Sequence, residues 1–227
     1  MGRKNFMSLI ETLIEPFIKD GVEYNTYPPP AVLLKVMERR WAEKLLAFGM
    51  MRFGSIESYR KWENKVLGDP NDGKGMFLMN GHQFEADSGC PVYAWCASEP
   101  QIKAERTLLL AEQGKYDCVV RLHEPLTLIQ RVHAVLTGNN GSLRLHCSQA
   151  SYNRGAEVDK RTLNSQKFHY NVFQKDQLFA PDMEYRLSLI DCKLRPEHKD
   201  HVTLEVGDCS DILRIEDLPN KDILVEV

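Results

Sequence analysis

Asp182 and Glu184 stand two residues apart where a turn runs into an apolar alternation, in the stretch Phe173-Gln-Lys-Asp-Gln-Leu-Phe-Ala-Pro-Asp182-Met-Glu184-Tyr-Arg-Leu-Ser-Leu-Ile190. Tyr185, Leu187 and Leu189 recur with the period of a half-buried strand, and Pro181 prevents a regular ladder just before them. Glu184 is therefore expected at a strand mouth, with Asp182 pointing the same way if the strand has already begun. Carboxylates held there by a rigid sheet can orient a substrate hydroxyl and stabilise a cationic transition state, the work of carboxylates in glycosyl transfer. The competing reading is an exposed Glu184–Arg186 pair at i, i+2 on one strand face, which would contribute little.

The elements that must position this pair follow from periodicity and punctuation. Met7, Ile10, Leu13, Ile14, Phe17 and Ile18 predict a helix before Gly21, and Pro28-Pro29-Pro30 a stiff strap. Residues 1–30 thus precede a single domain over residues 31–227. In it, residues 31–37 read as a strand, 38–48 as a helix stopped by Gly49, and 50–54 as a second strand; Ser55 caps a short helix carrying Tyr59 and Trp62. Gly68-Asp69-Pro-Asn71-Asp72-Gly73 reads as a turn, with cation binding as the alternative. Strands are expected at 92–97, 118–122, 143–150, 167–174, 184–190, 201–206 and 223–227. Helices are expected from a capping box at Ser98 to Gly114 and over 125–137. The order predicts an α+β domain with a mixed, mostly antiparallel split sheet and helices in the first half.

Composition is that of an ordinary globular chain, 43% hydrophobic and 27% charged. The longest apolar runs fall short of the ~18 residues of a membrane span, so the expectation is a cytoplasmic protein with no membrane partner. Six cysteines without a Cys-x-x-Cys pair read as reduced thiols, and the histidines show no metal spacing. The net charge of −3 is unevenly distributed: residues 31–65 and 143–175 carry +4 each. That segregation suits an anionic ligand, a dinucleotide or a polynucleotide.

The segments Leu34-Lys35, Ala42-Glu-Lys-Leu-Leu-Ala-Phe-Gly49, Arg52-Phe-Gly-Ser55-Ile-Glu-Ser-Tyr59-Arg60, Gly68-Asp-Pro-Asn-Asp-Gly73 and Phe173-x-Lys175-x(3)-Phe179-x(4)-Glu184-Tyr-Arg186 resemble, in order and spacing over residues 31–190, a family of uncharacterised bacterial and phage proteins. The same layout looks like the ADP-ribosyltransferase core. In its diphtheria-toxin-like branch a strand bears a His-Gly pair, a helix ends in Gly, a Ser-x(3)-Tyr begins the next helix, and a Glu stands at a late strand's mouth. Those places correspond here to Lys35, Gly49, Ser55-x(3)-Tyr59 and Glu184.

The resemblance implies an NAD-dependent transferase modifying an RNA or protein acceptor, as a toxin or phage-conflict effector. Glu184, Asp182 and Tyr59 would be catalytic, and Lys35, Arg39, Arg52 and Ser55 would contact the cofactor. Arg154, Lys160, Arg161 and Lys167 would form the rim meeting the acceptor. The alternatives are a nucleic-acid-binding or nuclease-like module and a non-catalytic interaction protein.

Overall fold

The computed structural model describes residues 17–19, 22–24, 28–61, 67–86, 89–138, 142–157, 168–191, 193 and 199–220. Their architecture is α+β, with a mostly antiparallel sheet and few helices. The strands are β1 (Phe17–Lys19), β2 (Val22–Tyr24), β3 (Leu33–Met37), β4 (Met50–Ser55), β5 (Gly75–Met79), β6 (His82–Ala86), β7 (Val92–Ser98), β8 (Cys118–Leu122), β9 (Leu143–Gln149), β10 (Ala156–Glu157), β11 (Glu184–Asp191), β12 (His201–Glu205) and β13 (Leu213–Asp217). The helices are α1 (Arg39–Phe48), α2 (Ile56–Arg60), α3 (Ala104–Gly114) and α4 (Pro125–Gly138).

One sheet runs β1-β2-β9-β11-β7-β3-β8-β13, and β4 joins it through β7 while carrying β12 on its other edge; β10, β5 and β6 form a smaller sheet. Only β2–β9 and β10–β5 pair in parallel among the described strands. The pairing around β7 matters most. On its edge away from β11, Leu34 of β3 pairs with Ser98, whereas Gly54 and Ser55 of β4 pair with Ala94 and Tyr93. β3 and β4 therefore leave β7 at opposite ends, and the sheet is split beside Cys96.

The main core lies on one face of β7, β9 and β11, where Tyr93, Trp95, Leu145, Cys147, Tyr185, Leu187 and Leu189 meet Ala42 and Leu45 of α1 and Leu128, Ile129 and Val132 of α4. Each helix supplies an apolar stripe at helical spacing, as its sequence predicts. The opposite face of β7 and β11 carries a smaller apolar cluster of Ile56, Val92, Ala94, Val172, Phe173 and Ile190. Buried polar side chains complete that face: Glu184, Arg186 and Ser188 of β11, with Ser148 of β9.

Several sequence expectations need correction. β11 is buried along its whole length rather than half-buried. The segment around residues 167–174, read as a strand, is a 3-10 turn over Phe168–Phe173. A capping box at Ser98 does not form: β7 runs through Ser98 because both Leu34 and Glu184 pair with it, and α3 begins only after Lys103. The β5–β6 hairpin and β13 were not anticipated. Of the expected N-terminal helix, residues 7–16 lie outside the described residues, and Phe17 and Ile18 belong to β1. The expected strand at 223–227 also lies outside them.

Gly49 closes α1 in the left-handed region, φ 60°, and its N–H is accepted by the carbonyls of Leu45 and Lys44. A Cβ there would stand 2.4 Å from the Gly207 carbonyl oxygen. Gly49→Ala is expected to cost at least the roughly 1–2 kcal/mol of a left-handed non-glycine residue, with more from that backbone clash. Urea denaturation checks this, and an unchanged midpoint would contradict the tight α1–β12 junction.

Candidate functional site

Glu184 opens β11, and its backbone is held from both sides. Its N–H donates to Tyr152 Oη at 2.8 Å, and its carbonyl accepts from Ala150 N at 2.7 Å. Just before it, Met183 adopts φ 45° and closes the second 3-10 turn, Gln177–Asp182. A non-glycine residue in that region is uncommon and carries local strain. This turn, rather than strand alternation, brings Asp182 and Glu184 together: Asp182 belongs to the 3-10 turn and not to β11.

Both Glu184 oxygens are engaged. Arg186 Nε donates to Oε1 and Lys175 Nζ to Oε2, each at 2.6 Å. Arg186, 1% exposed, also forms a bidentate pair with Asp72, Nη1–Oδ1 2.6 Å and Nη2–Oδ2 3.0 Å, and donates to the Val172 carbonyl. At the other end Asp182 accepts from Arg106 Nε at 2.6 Å and faces Lys175 across 3.9 Å. The result is a buried chain of alternating charge, Asp72–Arg186–Glu184–Lys175–Asp182–Arg106. The exposed i, i+2 reading of Glu184 and Arg186 is thereby corrected: the pair exists, but it is buried and shared.

Burial opposes ionisation of Glu184, but Arg186 and Lys175 outweigh it and hold its pKa well below the ordinary value. For Lys175 burial again works against charge, and Glu184 prevails, raising its pKa. Asp182 ends above its ordinary value because burial outweighs the opposing Arg106 bond.

Lys35 occupies the sheet split. Its Nζ donates to the Cys96 carbonyl at 2.6 Å, where a continuous sheet would offer a backbone N–H, and lies 4.6 Å from the Trp95 ring centroid. Burial lowers its pKa, although Cys96 and Glu184 oppose the shift. Tyr59 Oη donates to the Ala94 carbonyl at 3.1 Å, next along the same edge. Gly54 permits this, since a Cβ there would stand 2.6 Å from Tyr59 Oη. Burial first, then nearby Cys96 and Glu184, push the Tyr59 phenol far up, so it remains a neutral hydroxyl.

Lys35, Tyr59, Asp182 and Glu184 line one cavity of about 160 Å³, together with Asp72, Cys96, Lys175 and Arg186. Lys35, Val36, Leu67 and Tyr116 also border a larger groove of about 990 Å³. Arg52, Lys44 and Lys61 add cations to that groove, and Trp41, Trp95 and Tyr116 add aromatic surface. Arg52 thus lines the groove but not the inner cavity.

Other sequence candidates lie elsewhere. Arg39 borders neither cavity: its guanidinium pairs with Asp217 at 2.6 Å and its N–H with Asp117. Ser55 caps α2 by accepting from Ser58 N at 3.0 Å and lines neither cavity. Arg154 is not on an acceptor rim, because its side chain is 4% exposed and donates to both oxygens of Asp69, at 2.9 and 2.7 Å. Lys160, Arg161 and Lys167 lie outside the described residues. The Gly68–Gly73 loop directs Asp69 and Asp72 to arginines, and no metal-holding cluster occurs among the described residues.

Sequence reasoning gave no site role to Asp72, Arg106 or Lys175, and it placed Arg186 beside Glu184 on one strand face only as an exposed pair. Asp72 and Arg106 are 114 and 76 residues from their partners and carry no local signal.

Arg186→Met removes the partner shared by Asp72 and Glu184 and is expected to destabilise the protein by about 3–5 kcal/mol, read by chemical denaturation at neutral pH. The acid limb gives a second check. Because the folded pKa of Glu184 lies below 4.5, its stabilisation is present above that value and is lost as pH falls below it. Glu184→Gln should therefore flatten the decline of stability with pH below 4.5, and an acid limb as steep as the parent's would show that another group sets it. In comparisons with known proteins, the chain matches no family model, no curated protein and no solved structure.

Proposed function

We propose that the cleft at the sheet split binds NAD and that the protein is an ADP-ribosyltransferase-like enzyme, with Glu184 as its central carboxylate. The observation that carries this reading is the convergence of Glu184, Tyr59 and Lys35 on one cavity, although they come from β11, α2 and β3. The adjoining groove suits the rest of a dinucleotide. At about 990 Å³ it is of cofactor size, with Lys44, Arg52 and Lys61 for an anionic linker and Trp41 and Tyr116 for flat rings.

The chemistry NAD supplies is heterolysis of the nicotinamide–ribose bond: its electron pair leaves with nicotinamide, the anomeric carbon gains cationic character, and water or an acceptor adds there with loss of a proton. Glu184 is suited to stabilising that charge. Its pKa is held low by Arg186 and Lys175, so it is a fixed negative charge and not a proton donor at neutral pH. Tyr59, a neutral phenol held beside Ala94, offers a ring edge or face to the leaving group, and Lys35 borders the passage between cavity and groove. Asp182 acts from beside Lys175 rather than as a second strand carboxylate.

The same groove, with stacking rings among cations, also favours a second reading, single-stranded nucleic acid bound without turnover. One experiment separates them. Incubated with NAD, the protein should release nicotinamide, measured by mass spectrometry. Glu184→Gln should abolish release, while the double variant Lys44→Glu/Arg52→Glu should weaken NAD binding by at least about tenfold, or ~1.4 kcal/mol. Absence of NAD binding and nicotinamide release, with RNA binding that weakens steeply with salt, would replace the transferase reading by the nucleic-acid one.

A further inference from the structure

A sugar hydroxyl must compete for Glu184, because Arg186 donates to Oε1, Lys175 to Oε2 and the Cys96 thiol also bonds the carboxylate, so the approach is best where one of these donors withdraws. Arg186 cannot let go cheaply. It is simultaneously bidentate to Asp72 and bonded to the Val172 carbonyl, and it is 1% exposed. Lys175 is different. Its backbone is fixed by bonds with Ser151 and Arg154, but its ammonium already stands 3.9 Å from a second carboxylate oxygen, Asp182 Oδ2. Arg106 grips Asp182 through Oδ1, which leaves Oδ2 facing the lysine.

We propose that Lys175 is a positioning residue that passes between Glu184 and Asp182, the Asp182 position being the minor one until a sugar hydroxyl enters the inner cavity and takes its place on Glu184 Oε2. The move needs roughly 1 Å, from 3.9 Å to the ordinary length of a charge-assisted bond. It leaves no buried charge unpaired: Lys175 gains Asp182, while Glu184 keeps Arg186 on Oε1 and gains the hydroxyl on Oε2. Escape of the lysine into solvent would instead strip a carboxylate of one partner, the costly alternative. Phe179, whose ring centroid lies 4.6 Å from Nζ, supports the ammonium by a cation–π contact. Asp182 thus acquires a function that strand geometry does not give it, as the waiting acceptor for the lysine.

The identity of the hydroxyl as a ribose group rests on the transferase reading; the exchange itself does not. Its test combines Asp182→Asn, Lys175→Met and their double variant, with nicotinamide release from NAD and the ammonium 15N signal of Lys175 as readouts. Asp182→Asn should slow release at saturating NAD about tenfold, whereas the same change in the Lys175→Met background should have almost no effect, because Asp182 acts only through Lys175. Without NAD, the Lys175 ammonium signal should show exchange broadening that Asp182→Asn removes. Equal loss from Asp182→Asn in both backgrounds would overturn the exchange. So would a sharp ammonium signal unmoved by Asp182→Asn, whatever NAD does. Broadening that responds to Asp182→Asn in a protein that never turns over NAD would sustain the exchange and refute the transferase reading.

Discussion

Arg186 is the side chain on which the rest of the site depends. It emerges from the middle of the sheet on the face away from the main core, fully buried, and joins β11 to the 67–74 loop through Asp72 and to the first 3-10 turn through Val172. Through Glu184 it also fixes where Lys175 must stand, and through Lys175 the second 3-10 turn and α3 are reached. The 67–74 loop and α3, both distant in sequence, are thereby held by charge against the continuous stretch that runs through the two 3-10 turns into β11. Buried ion pairs are weak sources of net stability, since desolvation offsets much of the attraction, yet removing one member is severe. An apolar cluster of equal volume would hold these segments together as well. What it would not supply is an ionised carboxylate of fixed direction at the inner end of a cleft.

That cleft has a separate cause. β7 is shared by two strands that meet it at its two ends, so its middle has no backbone partner on that side among the described strands. A bare sheet edge within a protein must be satisfied some other way. A side chain does it here: Lys35 reaches the Cys96 carbonyl, while Tyr59 adds a bond to the Ala94 carbonyl at the margin of the split, where β4 already pairs. Both residues are therefore structural and site-forming at once. The hydrogen bonds at and beside the split thus orient an amine and a phenol along its wall.

The elements with local punctuation were legible in the sequence, because the cause lay within a few residues. Gly49 ends α1 and Ser55 caps α2 by chemistry internal to those turns. The apolar half of β11 was equally legible from Tyr185, Leu187 and Leu189. Its other half was not, because alternation reports polarity and not exposure. Glu184, Arg186 and Ser188 look like a solvated face, and only the 67–74 loop and the two 3-10 turns reveal that they are covered. Those covering segments lack strong periodicity of their own. The strand expected around 167–174 is a 3-10 turn, and Val172 and Phe173 are buried from it all the same.

Charge shows the same limit more sharply. Counted along the chain, residues 31–65 and 143–175 each carry an excess of +4, which suggests two basic surfaces facing one anionic partner. In space the two excesses differ in kind. From the first, Lys35, Lys44, Arg52 and Lys61 all border the groove, so an excess counted along the chain becomes a field in a cleft. From the second, Arg154 pairs with Asp69 and Lys175 with Glu184, both inside the protein and both with acids outside that segment. Those cations are neutralised before any ligand arrives. A run of like charge therefore predicts a binding surface only to the extent that its counter-ions are not elsewhere in the same fold. Here that condition selects the groove at the sheet split over the described part of the basic loop as the place where an anion would be drawn.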